Sequence, residues 1–259
     1  MSHSLDIIHE FDTAYGHYQV VDMLYEGRPA RVLYSGDRLA AQSGIATDDN
    51  DDLLFDYNQR LFELTTGVIP GRLLLIGGGM YTLPSALLRV LDDIVIDVVE
   101  IDDGLDAVAA HYFDLPSDPR LRIIHEDGLQ YLARTTQRYD MIIVDAYTHT
   151  SAEPTLGSID GLALIERCVA PGGVVAANVI AAYYGRRSQE LLRLTEGYQS
   201  HFGDVAVYPA SHSLSLWLPQ NLVLVAQRTG GYDVGAYLRH SRLAYDSQPF
   251  DLGRDLRAL

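Results

Sequence analysis

Cysteine is almost absent from this chain. The single one, Cys168, can form no intramolecular disulfide, and its apolar setting, ALIERCVA, marks it as a core residue rather than a nucleophile. Long apolar runs are missing as well, so no segment has the length of a membrane-spanning helix. The opening residues, MSHSLDIIHEFD, lack the basic start and apolar centre of a secretion signal. Together with the cysteine usage this sets the cytoplasm as the expected location. Basic residues are few: 19 against 35 acidic ones, a net charge of −16. A field of that sign repels nucleic acid and anionic membrane, so neither is an expected partner, and it attracts cations, amines among them. Internal repeats, low-complexity tracts and long linkers are also missing, and no metal is expected.

What is present is an ordinary globular composition, 47% hydrophobic and 21% charged over 259 residues, enough for one large α/β domain with a small appendage. The first part reads as a β-meander. Tyr18–Tyr25 is β-rich, Glu26-Gly27-Arg28-Pro29 makes a turn, Ala30–Tyr34 follows, and Ser35-Gly36-Asp37 leads into a third segment at Arg38–Gln42. Asp49–Asp52 then offers N-caps for an amphipathic helix to about Thr65, with Leu53, Leu54, Tyr57, Leu61 and Leu64 on one face. From Gly71 apolar strands alternate with helices. Strands are expected at Arg72–Ile76, Ile94–Glu100, Leu121–His125, Tyr139–Val144 and Gly173–Val179. Helices fall near Leu83–Leu91, Leu105–Phe113, Leu129–Thr135, Ile159–Val169 and Arg187–Phe202. Asp204–Tyr208 and Asn221–Ala226 are joined by too short a loop for a crossover helix, so they should pair antiparallel. Five alternating units closed by a hairpin describe an α/β fold of the class I methyltransferase type: a doubly wound seven-stranded sheet with a small N-terminal β-meander. The expected divisions are residues 1–66, 67–228 and a C-terminal extension, 229–259.

Chemistry concentrates where strands end. The strand LLLI runs into Gly77-Gly78-Gly79, which lets backbone approach a ligand closely. About twenty residues on, the next strand ends at Glu100, where a carboxylate accepts from ribose hydroxyls in nucleoside-binding folds. Met80, Tyr81 and Thr82 break the dinucleotide fingerprint, which weighs against NAD. Asp127 follows the third strand and is open to two readings, an adenine contact or a helix N-cap. Asp145 follows MIIV at a strand's carboxyl end, where open sheets place ligands, and a carboxylate there suits deprotonation of an attacking amine. His149 is a second candidate base.

These residues resemble the spermidine synthases (polyamine aminopropyltransferases) from about Tyr15 to Gln227. Tyr18-Gln19 is similar to the Tyr-Gln of that family's N-terminal unit, which implies cofactor contact by Gln19. Tyr57-Asn58 stands where the family has a second Tyr-Gln. Gly77-Gly78-Gly79 resembles the start of its GGGDGG loop, Glu100 its ribose-binding glutamate, Asp127 its adenine-contacting aspartate, and Asp145 the first aspartate of its DxxD motif. The departures fall on the polyamine half: Met80 replaces the aspartate of the glycine loop, Thr148 the second aspartate of DxxD, and around Leu216 and Trp217, where the family has a pocket tyrosine, there is none. The resemblance implies a homodimer that transfers an aminopropyl group from decarboxylated S-adenosylmethionine to an amine. Asp145 would be catalytic. Gln19, Gly77, Gly78, Gly79, Glu100 and Asp127 would bind the cofactor, and Tyr57, Asn58, Met80, Tyr147, His149 and Trp217 would face the substrate. With Met80 in place of an aspartate, S-adenosylmethionine is the alternative donor and methyl transfer the alternative reaction. A nucleoside-binding homologue without activity is the third reading.

Overall fold

The computed structural model describes residues 6–36, 40–48, 53–146, 155–203, 205–211 and 215–228. The N-terminal unit is a four-stranded antiparallel sheet in sequential order, β1 (Asp6–Asp12), β2 (His17–Tyr25), β3 (Arg28–Ser35) and β4 (Ala40–Ala46). Three strands were expected. The extra one, β1, reads DIIHEFD, and its charges and a bulge between Ile7 and His9 hide the alternation that marks a strand. The β2–β3 turn is tighter than expected, because Glu26 and Gly27 both take positive φ, as a two-residue hairpin with right-handed strand twist demands.

Helix α1 spans Asp56–Val68 and starts later than its pattern suggests. Leu53 makes an antiparallel bridge to Ile45 instead of a first helical turn, and both Leu53 and Leu54 are buried in the connection. The proposed caps Asp49–Asp52 lie outside the described residues, as does the segment 229–259.

From here strand and helix alternate: β5 (Arg72–Ile76), α2 (Thr82–Val90), β6 (Val95–Glu100), α3 (Leu105–Tyr112), β7 (Leu121–His125), α4 (Gly128–Arg134), β8 (Tyr139–Val144), α5 (Ile159–Cys168), β9 (Val169–Ala181), α6 (Gln189–Phe202), β10 (Val205–Pro209) and β11 (Gln220–Gln227). The seven-stranded sheet has the order β10-β11-β9-β8-β5-β6-β7. Its first five strands in sequence are parallel, and β11 inserts antiparallel between β9 and β10. This is the class I methyltransferase-like arrangement that the sequence pattern implies.

Strands buried on both faces explain the continuous apolar runs. In β5 the side chains of Leu73 and Leu75 enter a core shared with α1, α2, α3 and the N-terminal sheet, while Leu74 and Ile76 enter the core under α4, α5 and α6. Each is worth about 1.5–3 kcal/mol by burial alone. Cys168 lies in the second core. Asp97, within β6, is the exception to apolar filling: its buried carboxylate accepts from Arg122 at 2.9 Å and from the Tyr139 hydroxyl at 2.7 Å, which compensates the buried charge. The N-terminal sheet is pinned to α3 by stacking of His9 on Tyr112. This docking brings β2 and β4 over the carboxyl ends of β5 and β6.

Candidate active site

The carboxyl ends of the parallel strands meet the N-terminal sheet in a cleft of about 820 Å³. It opens where β5 and β8 leave the sheet and the chain order reverses, the place where ligands bind in open α/β sheets.

The glycine turn is built by close approach. Gly77 has φ +94°, and a Cβ there would lie 2.5 Å from the backbone oxygen of Asp145. At Gly78 a Cβ would strike the Tyr81 ring at 2.5 Å. Gly79, with φ +52°, has Ser43 as its nearest neighbour at 3.7 Å and faces the cleft. The first two glycines therefore let chain pack on chain, and the third leaves room for a ligand. Gly77→Ala combines backbone strain with a main-chain clash. It should lower stability by about 2–4 kcal/mol in a denaturant titration, and an unchanged midpoint would show that the turn yields freely.

Glu100 holds this turn. One carboxylate oxygen accepts from the amides of Gly78 at 2.7 Å and Gly79 at 3.2 Å, and the other from the amide of Asp102 at 3.0 Å. Asp102 continues the chain of contacts, accepting from the Thr13 hydroxyl at 2.6 Å and the Gly104 amide at 3.1 Å. A single run of hydrogen bonds thus ties the β1–β2 turn to the glycine turn. Tyr18 lines the cleft beside it, its hydroxyl pushed up to about 12 by burial and by the nearby Asp102 charge.

On the β7 side, Asp127 caps α4 by accepting from the Gln130 amide at 3.0 Å, and it also lines the cleft. Glu126 forks onto Arg134, which lowers its carboxyl below the usual range.

On the β8 side stands Asp145. It accepts from the Asn178 side-chain amide at 2.8 Å and from the buried Tyr57 hydroxyl. Burial pushes its carboxyl up to about 7, against the two hydrogen bonds and with help from the charge on Glu100. The Tyr57 hydroxyl is raised well above its ordinary value, first by burial and then by Asp145. Asn58 is buried beside it and also lines the cleft. Asn178 is 9% exposed, and its side-chain oxygen has no partner among the described residues. A carboxylate titrating near neutrality in a cleft is suited to take a proton from a cationic group.

The cleft therefore collects Gly77, Gly78, Gly79, Glu100, Asp127, Asp145, Tyr57 and Asn58. Three expected residues stand apart. Gln19 projects from the opposite face of β2 to Tyr18 and does not line the cleft. Met80 is fully buried in the core, so its side chain does not face the ligand space. Trp217 is exposed and packs against Tyr184 outside the cleft lining. Tyr147 and His149 lie outside the described residues. Sequence reasoning missed Asn178, although a polar residue breaking the apolar run VVAANVI near a strand's carboxyl end is a readable signal. It also missed Ser43 and Thr82, which come together only when β4 docks on α2.

The spermine/spermidine synthase domain pattern matches residues 62–190. A probable polyamine aminopropyl transferase of Bifidobacterium longum is 31% identical over 106 residues, 41% of this chain and 23% of that protein. The polyamine aminopropyltransferase of Shigella sonnei is 25% identical over 182 residues, 67% of this chain. The matched stretch spans 62% of that enzyme's length. Among solved structures, a probable spermidine synthase from Corynebacterium glutamicum superposes with a TM-score of 0.75 at 20% identity, covering 90% of this chain and 86% of that one, a likeness of fold. No helix among the described residues is long and apolar enough to cross a membrane.

Proposed function

Because the chain is a divergent member of the spermidine synthase family, we propose that it transfers an aminopropyl (alkyl) group from decarboxylated S-adenosylmethionine to an amine acceptor. The observation that carries this reading is Asp145, a carboxylate raised to about 7, set by Asn178 and Tyr57 and lying directly beside the glycine turn. The donor's adenosyl part would lie over Gly79, with Glu100 toward the ribose and Asp127 toward the base. Gly79 supports this, since it lines the cleft and a Cβ there would meet nothing closer than Ser43 at 3.7 Å.

An alkyl ammonium has a pKa near ~10 and carries no free electron pair at neutral pH. Ionised Asp145 takes one proton from the arriving ammonium, and the freed nitrogen pair forms the new C–N bond as the donor's C–S bond breaks. The bonding pair stays on sulfur as a neutral thioether, and the product ammonium keeps the charge. The sulfonium supplies an already activated carbon, so orientation and exclusion of water do most of the work. Asn178 and Tyr57 act as positioning residues that fix the carboxylate.

One observation favours a second reading. Beyond Gly79 the described cleft wall includes the uncharged Gln42, Ser43 and Thr82, and the nearby Glu100 carboxylate is engaged by the amides of Gly78, Gly79 and Asp102, which leaves room for the carboxylate of S-adenosylmethionine itself. Methyl transfer is then the rival reaction. Incubating the protein with an amine and each donor in turn, and identifying the nucleoside product by mass spectrometry, separates the two. Methylthioadenosine with an alkylated amine is the expected result. S-adenosylhomocysteine with a methylated amine would replace the proposal by the second reading.

A further inference from the structure

Two of the three amides that hold Glu100 belong to the glycine turn, and the third is the amide of Asp102, at 3.0 Å. That third amide sits in a short connection. Strand β6 ends at Glu100 and α3 begins at Leu105, so neither a strand ladder nor a helix fixes residues 101–103. Ile101, in the same connection, also lines the cleft and is 40% exposed. Whatever holds this connection sets where Glu100 and Ile101 stand against a ligand.

The hold comes from the N-terminal sheet. The Asp102 carboxylate is 2% exposed, so it needs donors in place of water. One oxygen accepts from the Gly104 amide at 3.1 Å, and the other from the Thr13 hydroxyl at 2.6 Å, across 89 positions of sequence. That hydroxyl is itself oriented, because it accepts from the Tyr15 amide at 3.0 Å and keeps its proton for Asp102. The Thr13 amide donates to the Gly16 carbonyl at 2.9 Å and closes the β1–β2 turn. The threonine methyl is placed as closely. A Cβ on Gly104 would lie 2.6 Å from it, so hydroxyl and methyl both bear on the connection. Beside them Tyr18 stacks on Phe11 at 5.2 Å and lies within hydrogen-bonding reach of Asp102 and Thr13.

We propose that Thr13 is a positioning residue for the donor: through the Asp102 carboxylate it fixes the Asp102 amide, and through that amide the Glu100 carboxylate that receives the adenosyl ligand. This rests on the placement of the ligand at Glu100 in the reading above and adds a residue of the N-terminal sheet to it. A contact that only joined the two sheets could lie anywhere along their interface. This one ends two residues from Glu100 and reaches it through a buried carboxylate bonded on both oxygens, a link that transmits displacement in both directions.

The test separates the two groups on the Thr13 side chain. Thr13→Val keeps the methyl against Gly104 and removes the hydroxyl, whereas Thr13→Ser keeps the hydroxyl and removes the methyl. Calorimetry with methylthioadenosine reads affinity, and thermal unfolding verifies that each variant is folded. Thr13→Val should weaken binding about tenfold, and Thr13→Ser should stay within about twofold of the parent, whichever variant is the less stable. Thr13→Ala compared with Thr13→Ser isolates the hydroxyl a second time, with the same gap of about tenfold, and serves if the valine variant does not fold. In a Glu100→Gln background the loss caused by Thr13→Val should shrink to about threefold or less, because the route to the ligand runs through Glu100. Equal losses with and without the hydroxyl, or no loss at all, reduce Thr13 to a structural joint and overturn the proposal while leaving the ligand at Glu100. So does the full loss carried unchanged into the Glu100→Gln background. If the parent protein does not bind methylthioadenosine, the donor placement falls and the role of Thr13 falls with it.

Discussion

Asp145→Asn should yield a folded protein that still binds an adenosyl ligand but turns over about 10²–10⁴ times more slowly. The substitution keeps the shape, and its side-chain oxygen can still accept from Asn178. What disappears is the negative charge that draws in and deprotonates the acceptor. In the parent protein, activity should rise with pH through about 7, where the Asp145 carboxyl ionises, and the variant's residual rate should lack that limb.

Stability should move the opposite way. Burial raises this carboxyl, so the folded chain holds the proton more tightly than the unfolded chain, whose aspartate titrates near ~3.9. The stabilising contribution is complete below that lower value and is lost as pH rises through about 7. Asparagine has no charge to bury. The variant should therefore be more stable than the parent by about 1–3 kcal/mol at about pH 8, and nearly equal to it at about pH 4. A residue whose removal stabilises the fold while abolishing turnover is kept for chemistry. Full activity in Asp145→Asn would sink the mechanism.

The second large effect is expected at Glu100. Glu100→Ala leaves the amides of Gly78, Gly79 and Asp102 without their charged acceptor at once. Hydrogen bonds to a charged group are worth about 1.5–3 kcal/mol each, and water entering the cleft offsets part of that loss. Affinity for methylthioadenosine, read by calorimetry, should fall about a hundredfold or more, with a loss of stability of about 2–4 kcal/mol. Glu100→Gln offers one acceptor oxygen and turns an NH₂ group toward an amide donor, so it should fall between the two. Affinity unchanged in either folded variant would remove Glu100 from donor binding. The route from Thr13 through Asp102 to Glu100 adds that the β1–β2 turn and the glycine turn share one support.

Much of the site was legible because its parts sit at strand ends. An apolar run followed by glycine or an acid fixes both a strand and its carboxyl terminus, and in a doubly wound sheet those termini gather on one side. Gly77, Gly78, Gly79, Glu100, Asp127 and Asp145 were found this way, and the structure brings all six to one cleft. Asp127 shows the limit of that signal, since a residue at a strand end is also the first of a helix, and here it caps α4 while facing the cleft.

Residues outside this pattern were misplaced for a physical reason. In β2 the choice between Tyr18 and Gln19 turns on which face meets the larger sheet, and a strand presents its side chains alternately to both. Met80 follows the glycines directly, but Tyr81 takes a left-handed conformation with φ +55° and the chain turns Met80 into the core.

By itself the sequence determined the fold class, the alternating units and the glycine turn and acids at the strand ends, because these follow from local pattern and from the one geometry that parallel strands allow. Tertiary structure alone decided the environment of each group. Glu100 is held by the amides of Gly78, Gly79 and Asp102, and Asp145 is raised to about 7 beside Asn178 and Tyr57, mostly through contacts between residues distant in sequence. Burial and hydrogen bonding set the charge and reactivity of a side chain, and neither is a property of its neighbours in the chain.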